Sequence, residues 1–307
     1  MFDHLIHADW SVDPRKRWQA SAIRDNGLWK VSAPCPVGAI PTFLDGIFSN
    51  AHGGRTLVGF DFPIGIPSAY GSKTGLVDFR DGLRNFGEGD WAQFFDVVDQ
   101  PDDVSIRRPF YPKGSLKGVS RSSLVAGLGM ESFDSLLRTC ERRTSDRQAA
   151  CSLFWTLGGN QAGRAAISGW REVVRAALER GAALWPFDGS LAELSARSDV
   201  VLAETYPAEA YRMFNAAFRS GESKRRRSDR ASKAPAILDW AAAYSVHLSD
   251  AAETAVRDGF GEAASGEDAF DALAGLLKMI EVADGRRPEA TVGSEPALTW
   301  EGWILGR

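Results

Sequence analysis

Cysteine, long apolar runs and surplus positive charge are all scarce in this chain of 307 residues. Its three cysteines, Cys35, Cys140 and Cys151, form no CxxC pair, which disfavours a disulfide framework or a zinc site. No stretch approaches the roughly 18 consecutive apolar residues of a membrane-spanning helix. The N-terminus carries Asp3 and no basic segment before an apolar run, so a secretory signal is not predicted. We therefore expect a cytoplasmic protein without a membrane partner.

The charge balance is slightly acidic, with 40 Asp and Glu against 36 Lys and Arg, for a net charge of −4. Proteins that coat DNA are normally basic, because phosphate neutralisation supplies most of the non-specific affinity. The composition excludes that class but permits a local basic surface beside a carboxylate cluster. The absence of GxSxG and HExxH motifs also argues against serine hydrolases and zinc proteases.

The hydrophobic pattern predicts an α/β fold that begins β-β-β-α-β. Alternating and continuous apolar runs predict strands at 4–8, 17–23, 28–32 and 55–60, with an amphipathic helix at 37–49. A further strand is predicted at 199–203, and helices at 208–218, from Pro235 through 248, and at 265–282. We expect one domain with its core at 1–69 and 196–307.

The segment 70–195 differs from the core and is predicted to be a helical and irregular insertion within the same domain. Its first part is rich in Gly, Pro and scattered aromatic residues, and helices are expected near 91–98, 133–143 and 169–181. The Gly-rich turn at 157–163 lacks the GxxxxGK[ST] pattern of a phosphate loop and follows no predicted strand. A nucleotide cradle is therefore not expected there.

Acidic residues follow three of the predicted strands. Asp9 and Asp61 come directly after apolar strands, and Glu204 does the same after the strand at 199–203. Ligands of open α/β sheets bind outside the carboxyl ends of strands, so these acids are candidates for one shared site. Their alternative roles are in turns and helix caps, which Asp fills readily.

The last predicted helix carries a second group of acids. Asp268 and Asp271 lie three residues apart and project from one face of the helix, and Gly275 continues that face with a residue small enough for close approach. An acidic first turn that suits the helix dipole is the alternative explanation, which accounts for Asp268 better than for Asp271.

Oxygen ligands from strand ends and a helix suit Mg²⁺ or Mn²⁺, hard cations that keep several of their waters. Two such ions about 3.5–4 Å apart can activate a water and stabilise the leaving oxygen in phosphodiester cleavage. Without a cation, the same carboxylates repel one another and their pKa values rise. We predict that Asp9, Asp61, Asp268 and Asp271 bind metal and that Glu204 joins them in the catalytic set.

Five segments together resemble a known family. They are DWS at 9–11, GFDFPIG at 59–65, ETYP at 204–207, EDAFDAL at 267–273 and EGWI at 301–304. Their order is similar to that in domain-of-unknown-function family 429, described as predicted RNase H-like nucleases. The β-β-β-α-β order with Asp9 closing the first strand likewise resembles the RNase H-like fold. The resemblance spans nearly the whole chain, although 70–195 matches only loosely.

The acids of the last helix also resemble those of RuvC-type Holliday-junction resolvases. The resemblance implies that Asp9 bridges two metals, that Asp61 is the acid of the fourth-strand position, and that Asp268 or Asp271 is the acid of the terminal helix. It assigns no settled role to Glu204. Trp10 stands where such nucleases commonly have a small residue, and its bulk could narrow the access of a duplex.

Two basic segments are candidate nucleic-acid contacts. The first is a predicted phosphate-contacting arm at 224–233, whose alternative is a solvated loop, and it contains Lys224, Arg225, Arg226, Arg227 and Arg230. The second flanks Phe110 and Tyr111, which could stack on single-stranded bases or belong to a local core, and it contains Arg107, Arg108, Lys113 and Lys117.

The leading hypothesis is a Mg²⁺- or Mn²⁺-dependent hydrolase of RNase H-like fold that cleaves DNA, RNA or a small phosphodiester. One alternative is an ATP-dependent phosphotransferase of the actin-like and sugar-kinase branch, although no Gly-rich phosphate-binding turn follows Asp9. Another is a non-catalytic module that holds nucleic acid or an acidic partner through 224–233. The oligomeric state is left open.

Overall fold

A computed structural model describes residues 1–51, 53–114, 119–145, 149–157, 162–290 and 295–307. Lys117 and residues 158–161 of the Gly-rich turn therefore lie outside the described residues. The chain divides into two compact units. The first unit comprises Met1–Asp61, Ala177–Ala290 and Ile304–Arg307, and the second comprises Phe62–Ala176 and Thr291–Trp303. The insertion is predicted at 70–195, and the long segment of the second unit overlaps most of that range.

One mixed sheet in the first unit contains eight strands within the described residues. They are β1 (His4–Asp9), β2 (Trp18–Asp25), β3 (Leu28–Val31), β4 (Cys35–Pro36), β5 (Thr56–Phe60), β6 (Ala183–Leu184), β7 (Val200–Glu204) and β8 (Val246–Leu248). Their order is β6-β7-β5-β1-β2-β3-β8, with β4 paired to β2. Strand β1 is antiparallel to β2 and parallel to β5, which is parallel to β7. The predicted α/β class is confirmed.

Twelve α-helices occur within the described ranges. They are α1 (Ile40–Ala51), α2 (Ser68–Gly71), α3 (Phe79–Asn85), α4 (Arg121–Gly127), α5 (Ala162–Gly169), α6 (Arg175–Glu179), α7 (Leu191–Arg197), α8 (Pro207–Met213), α9 (Arg227–Ala231), α10 (Ala234–Ala243), α11 (Asp250–Asp258) and α12 (Gly266–Ala283). A π-helical turn, Trp170–Val174, lies between α5 and α6, and another spans Ala297–Glu301. Among the described helices, none combines the length and apolar character needed to cross a membrane.

Several predicted helices are shorter than expected. The helix predicted at 91–98 is only a 3-10 turn, Gly89–Trp91, and that at 133–143 is two such turns, Phe133–Leu136 and Thr139–Glu141. The helix from Pro235 ends at Ala243 because Ser245 adopts a positive φ of 55° and the next residues pair with β3 as β8. Pairing across the sheet overrides helical spacing at this point.

Helix α12 packs closely on β1 because Gly275 of the helix, which has no side chain, meets the neutral ring of His7 on the strand. A Cβ added at Gly275 would lie 2.2 Å from His7 Nε2, so the predicted close approach at Gly275 is confirmed. His7 Nδ1 donates to the carbonyl of Ala272 at 3.0 Å, and its Nε2 accepts from Thr205 Oγ1 at 2.8 Å. Burial lowers the pKa of His7 to about 3, so the ring is neutral. These contacts fix α12 against the end of β1.

The core of the second unit is aromatic. Phe86 and Phe94 stack with ring centroids 3.6 Å apart, and Phe94 meets Phe110 edge-on. Phe110 and Tyr111 are both fully buried. Of the two roles that the sequence left open for these rings, the local core is therefore confirmed, and stacking on nucleic-acid bases is not. Rings that bury most of their area against one another leave no face for a base.

The second unit also contains a network of buried charges. Arg138 is buried and donates through Nε to Glu141 at 2.8 Å and through Nη1 to the carbonyl of Glu301 at 2.9 Å. The Glu301 carboxylate accepts from the backbone N–H of Ser68 at 3.2 Å, from its hydroxyl at 2.6 Å and from the N–H of Thr139 at 2.6 Å. Each buried charge in this network is therefore paired or hydrogen-bonded.

Candidate active site

Strand pairing brings Asp9 and Asp61 together in the first unit. Ala8 and Phe60 are register partners on the parallel strands β1 and β5, so the residues that follow them are neighbours at the same sheet edge. The two carboxyl groups share a hydrogen bond. Asp61 Oδ1 also accepts from the backbone N–H of Trp10 at 2.7 Å. The predicted meeting of these strand-end acids is therefore observed.

The first two turns of α12 add Asp268 and Asp271 to this edge. Residues 268, 271 and 275 lie on one helical face, and Gly275 sets that face against β1. Asp271 is buried, and its charge and that of Asp268 both act on Asp9. Asp268 Oδ2 is buried and has no hydrogen-bond partner. We call Asp9, Asp61, Asp268 and Asp271 the aspartate site.

Crowding and burial raise the pKa of every carboxyl in the aspartate site. Burial is the largest cause for Asp9, whose pKa rises well above its usual value, and the charges of Asp61 and Asp271 add to it. Burial raises the pKa of Asp61 to about 6 against the hydrogen bonds it accepts. Burial and then Glu267 raise the pKa of Asp268 to about 7. The site is therefore partly protonated near neutral pH unless a cation binds.

Asp271 is engaged by two side chains from outside α12. The ammonium of Lys224 donates to Oδ2, and the hydroxyl of Tyr211 donates to Oδ1. Burial raises the pKa of Asp271, while Lys224 lowers it. Burial opposes the charge on Lys224, but Asp271 and Asp9 raise its pKa above the usual value. Lys224, predicted to contact nucleic acid, thus lies at the carboxylates.

The structure does not bring Glu204 to the aspartate site. Glu204 is the register partner of Phe60, and Phe60 faces α1, where its ring lies 6.4 Å from that of Phe43. Side chains alternate between the two faces of a strand, and the next residue, Thr205, reaches His7 on the α12 face. The prediction that Glu204 is catalytic overlooked this alternation, which places its side chain on the opposite face.

The basic arm predicted at 224–233 is a folded turn and a short helix rather than a free segment. Arg230 is buried and donates to the carbonyls of Lys224, Gly259 and Gly261 at 2.6–2.8 Å. Its predicted contact with phosphate is therefore wrong, because its guanidinium is directed into the protein. This interior role explains why an arginine stands at that position.

The other three arginines of 224–233 that were predicted to contact nucleic acid, two of them exposed and Arg227 half-buried, differ in how firmly they are paired. Arg226 contacts Asp229 at 2.6 Å. Arg227 pairs with Asp258 and also lies 2.7 Å from Glu262. The side chain of Arg225 is 83% exposed and lies 3.8 Å from Glu267, next to the aspartate site. Arg225 is thus the arginine of this turn best placed to meet a ligand at the site.

The second unit holds the other predicted basic contacts. Arg107 stacks over the ring of Trp91 at 4.1 Å and lies 3.6 Å from Asp90. These three residues line a cleft of about 430 Å³. Lys113 is 3.9 Å from Asp99, and Nε of Arg108 is buried without a hydrogen-bond partner. Contact of Arg107, Arg108 and Lys113 with nucleic acid stays a prediction.

The aspartate site does not provide a complete set of metal ligands by itself. Within the described part of the chain, no group of three or more His, Cys, Asp or Glu side chains is arranged to hold a metal ion. Its donors are nevertheless carboxylate oxygens, which Mg²⁺ and Mn²⁺ prefer, and Asp268 Oδ2 is a buried acceptor without a donor. Mg²⁺ is commonly held by one or two carboxylates together with substrate phosphates, so the donor set fits such a cation.

The chain matches no family model, no curated protein and no solved structure. Its function must therefore be argued from the aspartate site itself. Side chains whose pKa values are strongly raised by burial and by like charges are concentrated at functional sites. Four such carboxyls at one sheet edge make this edge the strongest candidate in the described residues.

Proposed function

We propose that the chain is a Mg²⁺- or Mn²⁺-dependent phosphodiester hydrolase, a nuclease of RNase H-like fold, with its active site at the aspartate site. The observation that carries the proposal is the convergence of four buried or half-buried aspartates at the ends of β1, β5 and the start of α12. The sheet supports the RNase H-like assignment, since β1 lies between an antiparallel β2 and a parallel β5.

Retaining so many like charges in one place requires a reason beyond stability. Like-charged carboxylates in a low-dielectric site repel one another, and their raised pKa values record that cost. The alternative from sequence is a role in caps or turns. Such a role can explain one acid at a helix end, but it does not require an acid at the end of each of two adjacent strands. A bound dication would turn this repulsion into attraction.

The residues suit hydrolysis in three ways. Asp9 and Asp61 would hold a dication, which would supply an activated water and stabilise charge on a phosphate oxygen. The carboxyl of Asp268, with a pKa raised to about 7 chiefly by burial, can accept or release a proton near neutral pH. The burial of Asp9 and Asp271 limits the access of bulk water to the site.

A non-catalytic binding module is the second candidate function. It is favoured by the ammonium of Lys224, which already partly neutralises the carboxylates, and by the exposed Arg225 beside them. In this role the chain would hold nucleic acid or another acidic partner without cleaving it. Binding that survives EDTA, with no cleavage under Mg²⁺ or Mn²⁺, would favour the module over the hydrolase.

The test combines metal binding with a cleavage screen. We expect Mn²⁺ titrated into the purified chain by calorimetry to bind saturably, and Asp9→Asn to abolish both binding and cleavage while the protein stays folded. Asp239→Asn is the matched control, since Asp239 is exposed on α10, and it should behave like the parent. Single-stranded, duplex and branched DNA and RNA are screened, together with a small phosphodiester.

The result that overturns the hydrolase is equally specific. If wild type and Asp9→Asn cleave nothing in Mn²⁺ and in Mg²⁺, and nucleic acid still binds in EDTA, the chain is a binding module. Equal cleavage by both proteins would show that the activity comes from a contaminant or from another site.

A further inference from the structure

We propose that the ammonium of Lys224 permanently occupies one cation position of the aspartate site, so that the chain binds a single divalent cation rather than a pair. This inference rests on the proposed function, because it assumes that the aspartate site takes a divalent cation at all. It assigns a different role to Asp271 from the metal-binding one predicted from sequence. Asp271 becomes a positioning residue that holds Lys224.

The first argument is that both carboxylate oxygens of Asp271 already accept a hydrogen bond. Its Oδ2 accepts from the ammonium of Lys224 and its Oδ1 from the hydroxyl of Tyr211, and the residue is 5% exposed. A second dication bound there would compete with a charge-assisted hydrogen bond inside a buried site and would be repelled by the Lys224 ammonium. The other three carboxyls carry no such ion pair within 4 Å among the described residues.

The second argument is that Lys224 is held in place. Its backbone carbonyl accepts from Arg230 Nη1 at 2.6 Å, and Arg230 is itself anchored by the carbonyls of Gly259 and Gly261. The preceding residue, Ser223, donates its N–H to Asp229 at 2.8 Å. Buried Arg230 thus fixes the turn from which Lys224 reaches Asp271. Because this turn is anchored by hydrogen bonds on both sides of Lys224, the ammonium is held at Asp271 as part of the fold.

The third argument concerns where a single dication would bind. Asp9 and Asp61 are joined by a hydrogen bond, and Asp268 has a buried oxygen without a donor. One or two of these carboxyls, together with waters and a substrate phosphate, suffice for one octahedral cation. Paired metal ions lie about 3.5–4 Å apart, and an ammonium bound within the same cluster repels a second dication at such a distance.

The lysine is also reachable from the solvent side while it is held at the acids by its hydrogen bond to Asp271. Its side chain is 43% exposed, so the ammonium can meet a phosphate oxygen of a bound substrate from the solvent side. Lys224 would then complement the charge of the single cation.

The experiment counts Mn²⁺ ions per folded chain, by calorimetry and by the loss of the free Mn²⁺ signal in electron paramagnetic resonance. We expect one ion in the parent and in Lys224→Arg, which retains the charge. In Lys224→Met we expect either two ions or binding at least ten-fold tighter. Lys30→Met, which removes an exposed lysine of β3, is the control for the loss of one positive charge and should match the parent.

Tyr211→Phe is a second variant, which leaves Lys224 in place and should keep one ion per chain. Two ions in the parent overturn the inference while the proposed function stands. No binding in the parent overturns both. Unchanged stoichiometry and affinity in Lys224→Met, with unfolding curves showing that the variant is folded, overturn the inference alone. If Lys224→Met does not fold, Lys224→Gln replaces it under the same criteria.

Discussion

Two clusters of buried charge, one in each unit, differ in how their charges are compensated. In the second unit the Glu301 carboxylate accepts hydrogen bonds from Ser68 and Thr139, and although burial opposes its charge, these bonds lower its pKa below the usual value. In the first unit burial and neighbouring acids raise the pKa values of Asp9 and Asp268. Hydrogen-bond donors compensate the Glu301 carboxylate, whereas Asp9 and Asp268 lie beside other acids.

This difference separates a structural network from a candidate active site. A buried charge that is fully hydrogen-bonded holds chain segments in place, and removing one partner leaves the other uncompensated. Carboxylates that repel one another reduce stability in the free protein, so a ligand is expected to complete them. We therefore predict that removing a charge from the network of Arg138, Glu141 and Glu301 destabilises the protein. Neutralising a carboxylate of the aspartate site should instead stabilise it.

The largest expected effect comes from breaking the network of the second unit. Arg138→Met leaves the buried Glu141 without its ion pair and removes the donor to the Glu301 carbonyl. We expect a loss of about 3–5 kcal/mol in the free energy of unfolding, measured by urea denaturation. Arg142→Met, at an exposed position, is the control and should change it by less than about 0.5 kcal/mol. Similar curves for both variants would refute a structural role for the network.

The next effect tests how closely α12 lies on β1. In Gly275→Ala the new Cβ meets the His7 ring at 2.2 Å, and overpacking of this kind costs about 1–3 kcal/mol in the free energy of unfolding. Gly46→Ala on α1 meets nothing within 4 Å and should instead stabilise the helix by about 0.5–1 kcal/mol. Chemical denaturation of both variants measures the difference. Equal effects of the two substitutions would contradict the packing described here.

A smaller, pH-dependent effect is expected at the aspartate site. Burial raises the pKa of Asp61 to about 6 in the folded protein, against about 4 in an unfolded chain, so the folded state holds more protons between these values. The stability contributed by protonation is therefore present below about pH 4 and is lost as the pH rises to about 6.

Asp61→Asn removes this dependence. We expect the variant to be more stable than the parent by about 1–2 kcal/mol at pH 8 and nearly equal to it at pH 4, without metal. Taking the difference between the two proteins cancels the opposite contribution of His7, whose pKa burial lowers to about 3. If the free energy of unfolding depended on pH in the same way in both proteins, the pKa of Asp61 would not be raised in the folded state.

The smallest effect concerns the exposed rim of the site. Arg225→Ala should change the free energy of unfolding by less than about 0.5 kcal/mol, because its contact with Glu267 is long and its own side chain is 83% exposed. If the chain binds nucleic acid, the variant should weaken binding and reduce the salt dependence by about one phosphate contact. Arg227→Ala, at an arginine paired with Asp258, is the comparison. Identical salt slopes for the parent and Arg225→Ala would remove Arg225 from the interface.

Much of the first unit could be predicted from sequence because its signals are local. Apolar alternation and the Asn26-Gly27 turn mark the first three strands, and an acid directly after each of two buried strands predicted the meeting of Asp9 and Asp61. The three-residue spacing of Asp268 and Asp271 and the small Gly275 predicted which face of α12 approaches the sheet. Each of these features depends on a periodicity that the local sequence displays.

The features of the site that the sequence did not predict, or predicted wrongly, depend on contacts between distant segments. Nothing in the sequence marks Tyr211 as a partner of Asp271, 60 residues away. Basic residues clustered at 224–233 predicted one surface, whereas Lys224 reaches the aspartates and Arg230 is buried. For Glu204 a usable signal existed, since strand alternation separates it from Thr205, but the sheet register was needed to apply it.

The most direct test of the central claim is proton release on metal binding. Mn²⁺ is titrated calorimetrically into the chain at pH 6.5, in buffers of different ionisation enthalpy. Because burial raises the pKa of Asp9 and Asp268, we predict that Mn²⁺ binding releases about one proton or more, and that Asp9→Asn abolishes the release. Heats that do not depend on the buffer, or the same release in Asp9→Asn, would contradict the assignment of these aspartates as a cation site.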